Sequence, residues 1–86
     1  MNWNRSHEGY LIFSQIPPAF PEQTMWGAVL ADRWTFAIVH QPEIGYTATW
    51  KDSKRDPHQA IRIGGDFRTL GAAKRACEAQ ASGFLQ

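Results

Sequence analysis

Three histidines and one cysteine are the side chains in this 86-residue chain best suited to nucleophilic, acid–base or metal chemistry. His7, His40 and His58 lie far apart in sequence, and Cys77 lies in the alanine-rich "GAAKRACEAQA". No HExxH, GxSxG or paired-carboxylate pattern accompanies them. One cysteine and dispersed histidines also lack the closely spaced ligand pairs of a structural zinc site. A cysteine among alanines at helical spacing is a small buried hydrophobe by default. The expectation is therefore no enzyme, no catalytic residue, no metal and no cofactor.

The stretch "IRIGGDFRTLGAAKRACEAQA" (61–81) runs a strand into glycines and then a helix, as phosphate cradles do. A P-loop, however, needs GxxxxGK[ST], with a lysine beside the helix start. Here Gly64 and Gly65 are adjacent, no lysine follows at that spacing, and Asp66 repels phosphate. Gly-Gly then reads as a tight corner, with Phe67 plugging the junction between sheet and helix.

The remaining chemistry is charge and aromatic surface. The net charge is only +1, but it is unevenly spread. Residues 1–50 carry −2, from Arg5 and Arg33 against Glu8, Glu22, Asp32 and Glu43. Residues 51–75 carry +4, from Lys51, Lys54, Arg55, Arg62, Arg68, Lys74 and Arg75 against Asp52, Asp56 and Asp66. A basic second half suits an acidic partner, protein or nucleic acid. A sequence pI near 8.0 falls below that of strongly basic nucleic-acid-binding domains.

Elements must position these groups. "MWGAVLA" (25–31), "RWTFAIVH" (33–40), "YTATWK" (46–51) and "AIRIG" (60–64) read as strands, preceded by "GYLIFSQI" (9–16), which ends at Pro17-Pro18. Gly27 is expected to mark a bulge. Asp32 and "QPEIG" supply turns, and "DSKRDPHQ" (52–59) is a charged loop expected to be a flexible tip. Thr69 or Asp66 caps a helix running to about Ser82 and stopping at Gly83, with Leu70, Ala73, Ala76/Cys77 and Gln80/Ala81 on one stripe. The fold class is α+β: one domain over 1–86, with an antiparallel sheet of four or five strands within 9–64. A single C-terminal helix (69–82) packs on one face.

Alternation sends Trp34, Phe36, Ile38, Tyr46, Ala48 and Trp50 toward the helix. The other face receives Thr35, Thr47, Thr49, Lys51, Arg62 and Arg33, the candidate contact surface, with Lys54 and Arg55 from the neighbouring loop. Trp3 and Trp26 are candidate exposed anchors, since tryptophan is enriched at interface hot spots. With 43% hydrophobic and 13% aromatic residues the chain is globular. No apolar run reaches membrane-spanning length. The polar start and lone cysteine point to the reducing cytoplasm. An unpaired N-terminal edge strand allows a homodimer as well as a monomer.

The carboxyl half, "WTFAIVH…GYTATWKDSKRDPHQAIRIGGDFRTLGAAKRACEAQA", resembles small uncharacterised proteins of bacteriophages and mobile elements through its strands and "GxFxTLxxAKxAxExxA" pattern. It is more distantly similar to ethylene-response-factor DNA-binding domains and the arm-binding domains of tyrosine integrases. Trp34, Ala37, Ala48, Trp50, Ile63, Gly65, Phe67, Thr69, Ala73 and Ala76 carry the likeness, over about half the chain. The phage resemblance implies an accessory protein that docks on a macromolecular partner, protein or protein–nucleic-acid complex, as an inhibitor or modulator of host defence machinery. The DNA-binding resemblance implies nucleic-acid contact through the sheet face and the 51–62 hairpin loop, with Arg33, Lys51 and Arg62 at the reading positions.

Overall fold

The computed structural model describes residues 3–6 and 24–85. The expected strand at 9–16 lies outside them. Five strands form one antiparallel sheet in chain order: β1 (Asn4–Ser6), β2 (Met25–Leu30), β3 (Trp34–Gln41), β4 (Gly45–Asp52) and β5 (Ile61–Arg62). One helix, α1 (Leu70–Phe84), follows. The α+β class is as the alternation predicts. The sheet, however, begins at Asn4 rather than after residue 8, because a strand this short and polar carries no hydrophobic period.

Tight turns set the meander. Ala31 and Asp32 both take a φ of 54°, and the Arg33 N–H donates to the Leu30 carbonyl at 3.1 Å. Glu43 (φ 70°) closes the β3–β4 turn, where the Ile44 N–H donates to the Gln41 carbonyl. Gly27 makes no bulge. The β2–β3 register runs unbroken from Met25↔Val39 to Leu30↔Trp34, with Gly27 opposite Ala37.

On one face Phe36, Ile38 and Ala48 are fully buried beneath Ala73, Cys77 and Ala81 of α1. The small helix residues let the backbone lie close to the sheet, and removing a side chain such as Phe36 from water contributes about 1.5–3 kcal/mol. Thr69 caps α1, its Oγ1 accepting the Ala72 N–H at 3.1 Å. Phe67 packs against this core and exchanges two backbone hydrogen bonds of 2.8 Å with Tyr46. Gly45 (φ 118°) is required there, because a Cβ at that position would collide with the Phe67 carbonyl.

The helix does not stop at Gly83. It continues to Phe84 because that ring stacks on Trp34 (4.9 Å, 9°), meets Trp50 edge-on (4.7 Å, 65°) and approaches Phe36 (6.2 Å). Tertiary contact outweighs the helix-ending tendency of the glycine. The helix packs on β3 and β4, so a sheet this wide needs other cover on the same side. Trp3, Trp26 and Leu30 supply it, all packed against the core cluster.

Candidate functional site

The face away from the helix is largely closed to solvent where β2 meets β3. By register Met25, Gly27, Thr35 and Ala37 point there. Met25 is 1% exposed, Ala37 4% and Thr35 7%. Thr35 is therefore no contact residue: it is buried, with its hydroxyl 3.0 Å from the Ser53 hydroxyl. Accessible on this face are exposed Val29 near the end of β2 and, toward β4 and β5, half-buried Thr47, Thr49 and Lys51 and exposed Arg62.

Two of the expected basic contacts are engaged within the chain. Arg33 donates from Nε and Nη2 to the Asp52 carboxylate at 2.8–3.1 Å, and its guanidinium lies 4.9 Å over the Trp34 ring. The Arg33 pKa is raised by that hydrogen bond. Arg62 is paired with Asp66 four residues on. Trp3 and Trp26 are not free-standing anchors, since both are half-buried against the core, and Trp26 leans on Tyr46 (5.8 Å).

The 53–60 segment is a hydrogen-bonded turn rather than an open tip. Asp52 organises it. Its Oδ1 accepts the backbone N–H groups of Lys54 and Arg55 at 3.1 Å each, and its carbonyl accepts the Asp56 N–H at 2.8 Å. The Gln59 N–H donates to the Asp56 carbonyl at 3.2 Å. Arg33, first of all, and then the two backbone donors hold the Asp52 carboxyl at about 2 against an ordinary 3.8. Lys54, Arg55 and Asp56 are exposed on the turn. Among the described residues neither Lys51, Lys54 nor Arg55 forms an ion pair.

Behind the turn, Trp50, Asp52, Arg55, Asp56, Gln59 and Ile61 line a cleft of about 210 Å³. Trp50 and Ile61 are cross-strand partners on β4 and β5. They share the helix-side face, while the next residues along, Lys51 and Arg62, point to the other. Ile61 is 42% exposed. The cleft was missed in sequence because Trp50 reads as core and Asp52 as one charge in a charged run. The Asx-turn potential of "WKDSKRD" was the available signal.

Cys77 is fully buried, and burial pushes its thiol up to about 12, with Glu78 adding to the shift. Such a thiol is not poised for nucleophilic attack at neutral pH. No group of three His, Cys, Asp or Glu side chains gathers to hold a metal among the described residues. Nor is any described helix long and apolar enough to cross a membrane.

No protein-family model, curated protein or solved structure matches this chain.

Proposed function

We propose that this protein works without catalysis, as a docking module that meets a protein partner through the 53–60 turn and the cleft behind it. The observation that carries the reading is the cleft itself. An exposed apolar residue, Ile61, and an aromatic wall, Trp50, stand beside a turn already fixed by Asp52. A surface ordered before binding loses less entropy on association. The phage and mobile-element resemblance directs the search for that partner to host proteins, with inhibition or modulation of host machinery as the effect.

Nucleic-acid binding fits the geometry less well. Thr35 is buried, and Arg33 and Arg62 already hold carboxylates. Of the basic candidates only Arg55 lines the cleft, where Asp52 and Asp56 also stand. A salt titration of binding to generic duplex DNA tests the distinction. The expected result is no binding at ~50 mM salt. Tight binding that weakens with a slope near 0.9 per neutralised phosphate, and that fails in Lys51→Glu with Arg62→Glu, would overturn the protein-docking reading.

A further inference from the structure

We propose that the Trp50–Ile61 cleft receives an aromatic side chain with a polar tip, tyrosine or tryptophan, from the partner protein. The inference rests on the docking reading and supplies its chemistry. Size comes first. A cleft of about 210 Å³ lies below the ~300–1,000 Å³ of sites for free small molecules, so it suits one side chain.

Charge then selects among side chains. Asp52 lines the cleft, but its carboxylate is already spent on Arg33 and two backbone N–H groups. Arg55 and Asp56 bring opposite charges, and Gln59 brings none. The lining is close to neutral as a whole, so neither a lysine nor a glutamate gains a net counter-charge by entering. A neutral guest with an apolar body does gain, against Trp50 and Ile61.

The rim asks for a hydrogen-bonding tip. Among the described residues the Asp56 carboxylate accepts no hydrogen bond, and it stands with Arg55 and Gln59 at the cleft. A phenol O–H or indole N–H satisfies an acceptor there, whereas a phenylalanine leaves it unpaired. Trp50 is held in place by Phe84, the two rings inclined at 65° with centroids 4.7 Å apart. Tyrosine and tryptophan are, with arginine, the residues enriched at interface hot spots, and the near-neutral lining disfavours the arginine. A nucleobase has similar shape, but it brings a phosphate. Among the described residues Arg55 is the one cation lining the cleft, and the Asp52 and Asp56 carboxylates beside it oppose a phosphate there. Lys51 and Arg62 point to the opposite face of the sheet.

The test is an NMR titration of the 15N-labelled full chain with N-acetyltyrosinamide, N-acetylphenylalaninamide, N-acetylargininamide and uridine 5′-monophosphate. The expected result is millimolar binding of the tyrosine probe, read from the Trp50 indole and the 52–61 amides, with the phenylalanine probe several-fold weaker. Ile61→Asp, at an exposed site, should keep the native spectrum and weaken the tyrosine probe at least tenfold. Arginine or nucleotide binding as tight as tyrosine, or no shift from any probe, would overturn the inference. Capture of a discrete partner protein by a photo-crosslinker at position 54 reads the docking proposal separately, so failure of one is distinguishable from failure of the other.

Discussion

Asp52 serves an ion pair and a turn at once with one carboxylate. It takes three hydrogen-bond contacts from Arg33 and two from the turn backbone. Its carboxyl lies at about 2 in the folded protein against 3.8 ordinarily. The unfolded chain therefore takes up a proton where the folded one does not, and stability present above pH ~4 is lost as pH falls toward 2. Asp52→Asn should lower the urea midpoint at neutral pH and flatten its dependence between those values. An unchanged acid profile would remove Asp52 from this role. Cys77 has the opposite sign. Its raised value means the folded state keeps a proton that the unfolded thiol gives up, so stability falls as pH rises from about 9 toward 12. At neutral pH a thiol reagent should label Cys77 only at the rate of unfolding; rapid labelling of native protein would contradict its burial.

At the scale of elements, α1 is held at its carboxyl end by an aromatic contact rather than by a terminating residue. Gly83 is helical and has open space where a Cβ would stand. Gly83→Ala should thus stabilise the fold by ~0.4–1 kcal/mol in a denaturation experiment. Phe84→Ala should cost about 2–3 kcal/mol, somewhat below the range for a fully buried ring because Phe84 is half-buried, and should fray the last turn. A cost well under 1 kcal/mol would mean that Phe84 does not hold the helix past Gly83. These two neighbours show where reading from sequence succeeds and where it stops. The stripe Leu70, Ala73, Cys77, Ala81 and the alternation in β3 and β4 are periodic, so the helix, the central strands and their inward faces were legible. Phe84 follows a glycine at the chain's end, and only the positions of Trp34 and Trp50 give it a role. β1 was illegible for a related reason: three polar residues become a strand by pairing with β2. The surroundings of the candidate contact residues were half legible. Lys54 and Arg55 stand exposed as expected, but the burial of Thr35 and the engagement of Arg33 depend on Ser53 and Asp52, partners nearly twenty residues away.

For the whole molecule, the sheet has one face under the helix and tryptophans, and another closed where β2 meets β3. The β4–β5 side and its turn present exposed Ile61 beside the charged groups of the turn. In the proposed reading the fold is a scaffold, with β3 and β4 at its centre and the 53–60 turn as the presented part. Contact through that turn can be read directly by placing a photo-crosslinking amino acid at position 54 and, as a control on the exposed side of the helix, at position 79, in a cell lysate. The account predicts a discrete crosslinked protein from position 54, diminished at least tenfold by Ile61→Asp, and none from position 79. Equal crosslinking from both positions, or capture at 54 that Ile61→Asp leaves unchanged, would contradict docking through the cleft.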